Sequence, residues 1–326
     1  KTPKMQIIKY KLSLKIILFL SLLIIVSKNI IFSQKLNEIP FEQYETNIFN
    51  NIKDKLNNIK CSIIWGNQRE FINGIIRKSK PKKILEFGVL FGSCSIIILN
   101  AIKDLKNSHL YSIDLSSNEI IGSCVKNHFP NLLKKWTLFK GDVAAKFMDK
   151  IGKNIDLAMI DTSHFEPGEI LDFIMILPFL KEEAIVIFHD IDHQITSSKG
   201  KDMRYEWAPY LIFNIIRWEK YLPSGQGILN KDIGAIKLEK NQKKFIDDYC
   251  RSLGGKYEYF PKEKHIKTIK NFFRVYHDNF CCNVLEESIE FNRHFVKDNY
   301  KEDYYSREDE KKEKSWIKKV ENFQKQ

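Results

Sequence analysis

From Lys83 to Phe188 short apolar runs alternate with helical stretches, and few architectures accept that pattern. The runs are Lys83–Phe87, His109–Ile113, Trp136–Phe139, Ile155–Ile160 and Ala184–Phe188, with helical patterns between them at Ser95–Leu105, Asn118–Phe129, Ala144–Lys150 and Pro167–Leu180. Strands apolar on both faces need cover on both sides, and the intervening helices can supply it. The pattern predicts an α/β fold, a doubly wound and mostly parallel sheet whose ligands bind at the carboxyl ends of the strands. Further on, Gly227–Lys240 reads as two short strands about Asn230–Asp232, an antiparallel edge hairpin.

The flanks divide the chain into a basic and apolar segment (1–40), a central domain with leading helices (41–240) and a charged helical extension (241–326). An apolar content of 43% excludes a chain too polar to fold. The net charge of +12 raises a nucleic-acid or anionic-membrane reading, but its distribution decides the matter. Residues 1–35 hold seven lysines and no acid, leaving only +5 for the rest. Ile16–Ser27 is an uninterrupted apolar run of about 18 Å as helix, shorter than a bilayer's ~30 Å core. Three readings stay open for it: a membrane anchor with contact through residues 12–32, an export signal, or a buried helix. No C-x-x-C pair occurs among the six cysteines, so a reduced compartment is the simpler reading.

The first strand runs into Glu86-Phe-Gly88-Val-Leu-Phe-Gly92-Ser93 and then a helix. Glycines there let a ligand approach the backbone, and free N–H groups at the helix start favour polar or anionic groups. The G-x-x-x-G spacing is not the dinucleotide G-x-G-x-x-G. Asp114 closes the second strand, where a carboxylate can accept both hydroxyls of a ribose. Asp142 follows the third, where an adenine amino group could be met.

Through ILEFGVLFGSCS, YSIDLS, FKGD, DLAMIDTSHFEPGEILDF and AIVIFHD the chain resembles the class I S-adenosylmethionine-dependent methyltransferases, specifically small-molecule O-methyltransferases of the catechol and macrolide-sugar type. The resemblance spans roughly residues 65–240. It implies a Rossmann-like sheet of seven strands with the last reversed, and S-adenosylmethionine as cofactor. Glu86, Gly88, Gly92 and Ser93 would line the methionine end, Asp114 hold the ribose and Asp142 lie near the adenine. An acceptor hydroxyl on a small molecule or sugar follows, and with it a cytoplasmic location, tethered to the membrane if the first segment anchors.

Asp161 ends the fourth strand, His164 follows it, and His189-Asp190 ends the fifth. In a doubly wound sheet these ends meet at one cleft, where two carboxylates can hold a divalent metal that acidifies a hydroxyl. Oxygen ligands favour Mg²⁺ or Mn²⁺, and a histidine ligand tilts toward Mn²⁺, Fe²⁺ or Zn²⁺. The resemblance makes Asp161 and Asp190 metal ligands and His164 the general base. Some members also use an amide directly after the second acid. Here that position is Ile191, which leaves His189, Asp192 or water as the third ligand. Asp192 and His193 otherwise read as loop residues, and Trp207, Tyr210 and Trp218 as core or pocket walls.

A nucleic-acid amino methylase would carry an Asn/Asp-Pro-Pro-aromatic run where this chain has Asp161-Thr-Ser-His164, so no nucleic-acid partner is expected. Two competitors share the fold: a metal-dependent hydroxylase resembling the cephalosporin hydroxylases, and a non-catalytic relative.

Overall fold

The computed structural model describes residues 40–59, 64, 66–192, 208–224, 232–241 and 245–299. The apolar run at 16–27, His193, Trp207, the first arm of the expected hairpin and the last residues of the chain lie outside them. Seven strands form one sheet: β1 (Lys83–Phe87), β2 (His109–Asp114), β3 (Trp136–Lys140), β4 (Ile155–Ile160), β5 (Leu180–His189), β6 (Glu219–Tyr221) and β7 (Ile233–Lys237). Their order is β3-β2-β1-β4-β5-β7-β6, with β7 antiparallel to both neighbours and the first five parallel. This is the Rossmann-like arrangement expected from the alternating runs.

The period of two sorts each strand onto two cores. Leu85, Phe87, Ala158, Ile160, Val186 and Phe188 belong to one apolar cluster. Ile84, Leu157, Met159 and Ile187 belong to the other. The second core is roofed by α1 (Thr46–Asn58), α2 (Gln68–Ser79), α3 (Ser93–Ala101) and α4 (Ser123–His128). The first is covered by α5 (Met148–Ile151), α6 (Gly168–Ile176) and α7 (Ala208–Ile215). It is extended by α8 (Ile246–Ser252), α9 (Glu263–Tyr276) and α10 (Asn279–Asn299). Each fully buried isoleucine or phenylalanine contributes about 1.5–3 kcal/mol, so neither face can be left bare.

The last three helices are part of this packing. Tyr249 of α8 meets Phe173 of α6 edge to face at 5.4 Å, and Phe272 of α9 stacks on Phe179 at 5.9 Å. Asn292 of α10 accepts from the Tyr257 amide (2.7 Å) and donates to the Gly255 carbonyl (3.0 Å), fixing the loop before α9.

Several expected elements differ in extent. The helix over Asn118–Phe129 shortens to α4, after Gly122 adopts a left-handed φ of 72°. The stretch at Ala144–Lys150 splits into a 3-10 turn and α5. Strand β5 begins earlier, at Leu180, its polar Lys181–Glu183 concealed from an apolar criterion. The sequence over Trp207–Tyr221 predicts a helix, but α7 stops at Ile215 and Glu219–Tyr221 pairs with β7 as the edge strand. That pairing is non-local, and helical spacing cannot report it.

The reduced reading of the cysteines is corrected by the fold. Cys250 of α8 and Cys281 of α10 form a disulfide with Cα atoms 5.3 Å apart, and Cys124 is disulfide-bonded as well. Cys94 and Cys282 are the free cysteines among the described residues. A separation of 31 residues carried no pairing signal, because helix packing and not spacing brings the thiols together. Disulfides of this kind belong to oxidising compartments. No helix among the described residues is long and apolar enough to cross a membrane. Closing a loop of that length is worth about 3–4 kcal/mol. The Cys250→Ser/Cys281→Ser variant is expected to unfold at lower urea concentration by about that free energy; an unchanged midpoint would show that the cross-link adds no stability.

Candidate active site

The strand order reverses at β1, which has β2 on one side and β4 on the other. This switch point opens a crevice at the carboxyl edge. The strand ends are tied there through Gly88, whose amide donates to the Ile113 carbonyl, while the Asp161 amide donates to the Phe87 carbonyl (both 3.0 Å). Gly88 has φ 81°, and a Cβ on it would lie 1.7 Å from the Asp161 carbonyl oxygen. Only glycine lets β1 and β4 approach so closely. Gly92 caps α3 from the preceding position at φ 91°, where a Cβ would meet the Val125 side chain at 2.7 Å. Gly88 is thus required by backbone packing, and Gly92 by its left-handed φ and the Val125 side chain.

Glu86 is fully buried beside this turn. Its Oε2 accepts hydrogen bonds from Ser112 (2.6 Å) and Ser95 (2.7 Å), while Oε1 has no partner. Burial drives its carboxyl up to about 7, against the hydroxyls of Ser112 and Ser95 and the Cys94 thiol and with help from the charge of Asp161. Ser93, the first residue of α3, is buried with its Oγ also unpartnered. Cys94 between them is held as a thiol by burial and the nearby Glu86 charge.

Asp114 is more occupied than its position suggested. Oδ2 accepts from the amides of Val89 and Leu90 (3.0 Å each) and Oδ1 from Ser116 (2.9 Å), so the carboxylate clasps the β1–α3 turn. It keeps further lone pairs for a ligand. Asp142, after β3, accepts from its neighbour Val143 and faces His265 of α9.

Across the switch point, ligand atoms of Asp161, His164 and Asp190 all lie within 4.8 Å of one another. His164 Nε2 is 3.1 Å from Asp190 Oδ2, and its Nδ1 is 3.3 Å from Oε1 of the fully buried Glu169. The same Oε1 accepts the Thr162 amide (3.1 Å), and the Thr162 hydroxyl donates to Asp172 (2.7 Å). Two carboxylates of α6 therefore set the conformation of the loop that carries His164. Asp190 adopts φ 53°, a left-handed conformation that aspartate tolerates better than most residues.

Negative charge dominates this cluster. Burial opposes a charge on His164, but Glu169, Asp190 and Asp161 outweigh it and push the ring up to about 10. His189 behaves likewise and reaches about 9, through Asp161 and Asp190. Asp161 is raised by burial and by Asp190, against the two histidines. Asp232 is raised to about 6 by burial and Asp190, and its Oδ1 accepts the Asp192 amide at 3.0 Å.

His189, expected as a third ligand, lies beside this cluster. Its Nδ1 meets Asp190 Oδ2 at 2.9 Å and its Nε2 meets Gln68 Oε1 of α2 at 3.2 Å. The ligand atom that groups with those of Asp161 and Asp190 is on His164, whose own nitrogens face Asp190 and Glu169. Sequence reasoning missed Glu169, Asp232, Gln68 and His265. Glu169 and Asp172 interrupt the otherwise apolar helix GEILDFIMI, a signal that was available. Asp232 reads as a turn residue, and Gln68 and His265 lie outside any motif. Tyr210 is half-buried, and Trp218 packs against Phe245 and Tyr249 in the core.

Residues 85–191 match the family model described as a methyltransferase domain. The sequence matches no curated protein. Among solved structures, an O-methyltransferase from Bacillus cereus in complex with SAH is 15% identical, with 65% of this chain and 94% of that one covered and a TM-score of 0.44. The O-methyltransferase TomG from Streptomyces achromogenes, solved with SAM, is 14% identical over 65% of this chain and 96% of that one, with a TM-score of 0.43. The SAH-bound Podospora anserina methyltransferase PaMTH1 is 14% identical over 59% and 88%, also with a TM-score of 0.43.

Glu86 gives a test independent of any ligand. Its folded value near 7 exceeds the ordinary 4.5, so the stability it contributes is complete below pH 4.5 and is lost as pH rises through 7. Glu86→Gln is expected to flatten that part of the stability curve and to gain on the order of 2 kcal/mol over the wild type at pH 8 relative to pH 4.5. Urea titrations at the two pH values measure it, and an equal difference at both would refute the burial of a reluctant charge.

Proposed function

With residues 85–191 as a methyltransferase domain, we propose that the chain transfers a methyl group from S-adenosylmethionine to a hydroxyl of a small molecule or sugar, with a divalent metal at the reaction centre. The observation that carries this reading is the line of acids Glu86, Asp114 and Asp142 at the ends of β1, β2 and β3, leading across the switch point to Asp161, His164 and Asp190. Neighbouring strands lie about 4.8 Å apart, so the three ends span ~10 Å, a length suited to an amino acid, a ribose and a base in sequence.

Each residue has a chemical part in this reading. Glu86 Oε1 and Ser93 Oγ, buried without partners, suit the ammonium and carboxylate of the methionine end. A cation at Oε1 would offset the penalty of ionising Glu86. Asp114 receives the ribose hydroxyls while keeping the turn closed. When bound, the cofactor supplies a methyl group made electrophilic by the sulfonium.

The donor set at β4 and β5 fits a small divalent cation: two carboxylates and one imidazole, with Glu169 behind the imidazole as a third carboxylate that orients it. Imidazole in the set favours Mn²⁺, Fe²⁺ or Zn²⁺ over Mg²⁺. An ion held there would acidify the acceptor hydroxyl and fix its oxygen in line with the methyl. His164 is imidazolium when its only neighbours are carboxylates, and an imidazolium cannot accept a proton. A cation on Asp161 and Asp190 lowers its affinity for that proton, so the same ring can serve as ligand or as base.

Calorimetric titration with SAH, with and without Mn²⁺, tests the cofactor half, and a folded protein that gives no heat would end the proposal. Asp114→Ala is expected to weaken SAH binding at least ten-fold. Asp161→Asn should keep SAH affinity within a few fold and lose the bound-Mn²⁺ signal in electron paramagnetic resonance. An unchanged Mn²⁺ signal in that variant would overturn the metal assignment.

A further inference from the structure

The loop that carries His164 is held at three points, and the last of them comes from outside the matched domain, which ends at residue 191. At its start the Thr162 amide donates to Glu169 Oε1 (3.1 Å), and at its middle the His164 carbonyl accepts the Ala208 amide (3.1 Å). At its end Glu166 is paired with Glu258, in the loop between α8 and α9. The Glu166 amide donates to Glu258 Oε2 (3.0 Å), and the Glu258 amide donates to the Glu166 carbonyl (2.8 Å). Both backbone polar groups of residue 166 are thus satisfied by one residue 92 positions further along the chain.

Glu258 can hold the loop because its own surroundings are fixed. Beside it Tyr257 is buried in the first core, and the Tyr257 amide donates to Asn292 Oδ1 of α10 (2.7 Å). Asn292 is itself buried and donates to the carbonyls of Gly255 (3.0 Å) and Ser288 (2.9 Å). The Cys250–Cys281 disulfide ties α8, which leads into this loop, to α10. A carboxylate that accepts a backbone N–H makes one of the stronger hydrogen bonds, and here it joins two segments that lie in no helix or strand.

His164 sits between these anchors with its ring facing Asp190 (3.1 Å) and Glu169 (3.3 Å). Glu169 orients the ring, but its distance from Asp161 and Asp190 is set by where the backbone lies. A working ligand set is held to within about 0.5 Å, and a loop released two residues from its ligand is not held to that tolerance.

We propose that Glu258 is a positioning residue for the reaction centre: it fixes the backbone that carries His164, so the C-terminal extension sets how well Asp161, His164 and Asp190 converge on a cation. The proposal rests on the metal reading of that cluster, and it assigns part of the metal affinity to a residue that is not a ligand.

Calorimetry of the full chain with Mn²⁺ and, separately, with SAH tests this in the wild type, Glu258→Ala, Glu258→Gln, His164→Ala and the Glu258→Ala/His164→Ala pair. Glu258→Ala is expected to weaken Mn²⁺ binding roughly ten-fold and to leave SAH affinity within about two-fold. Glu258→Gln keeps a side-chain oxygen for the Glu166 amide and should recover most of the loss. The double variant should bind Mn²⁺ no worse than His164→Ala alone, since Glu258 acts through His164. A purely structural Glu258 would weaken both ligands alike, or lower the unfolding midpoint with Mn²⁺ affinity unchanged, and either result overturns the inference. A double variant weaker than His164→Ala would do the same. A wild type that takes up no Mn²⁺ ends the metal reading and this inference with it, a failure that the wild type alone reveals.

Discussion

The approach of β1 to β4 at Gly88 is the constraint on which the site depends. With φ 81° and the Asp161 carbonyl where a side chain would begin, residue 88 admits no Cβ. The two backbone hydrogen bonds flanking it, from the Gly88 amide to the Ile113 carbonyl and from the Asp161 amide to the Phe87 carbonyl, tie the carboxyl ends of β2, β1 and β4 together. Because these ends are level, the acids that close them share one edge. A sheet with looser ends would separate Glu86 and Asp114 from the Asp161 cluster. The same glycine explains why the turn reads ambiguously in sequence: packing already requires it, whether or not a ligand comes near.

Around that edge the chain is braced from both termini. Gln68 of α2 holds His189, and Glu169 of α6 holds His164, so each histidine is oriented by a side chain from a different element. From the C-terminal side Glu258 holds Glu166 through two hydrogen bonds, and the disulfide between α8 and α10 cross-links the helices that flank α9. The extension therefore belongs to the first apolar core, and its contact with the cleft follows from that packing.

The fold was legible because its signal is periodic and local. Strand β4 was readable over Ile155–Ile160 because both its faces are apolar, and an apolar run needs no partner to be recognised. The start of β5, the strand β6 and the disulfide were not legible, since each depends on a partner far along the chain. The site divides the same way. Asp161, His164 and Asp190 stand at strand ends, where topology alone brings them together. His189 adjoins Asp190 in sequence, but its nitrogens face Asp190 and Gln68, and the ligand atom that groups with both aspartates is on His164. Spacing predicts which residues reach an edge, and packing decides which of their atoms face one another.

What remains is a shortage of positive charge that both halves of the cleft share. Asp161, Asp232, Glu169 and Glu86 are carboxyls raised by burial, Asp190 stands among them, and two histidines are the cations beside them. Asp161 enters the balance at each end, since its charge raises Glu86 as well as acting on His164 and His189. An arrangement that disfavours its own ionisation costs folding stability, and sites that bind cations are where such a cost is retained. The net charge of the whole chain points the other way, at +12. Seven of its lysines lie in the first 35 residues, so the excess says little about the cleft. Chemistry in this protein follows the sign of the charges at the strand ends, which is opposite to the sign of the whole.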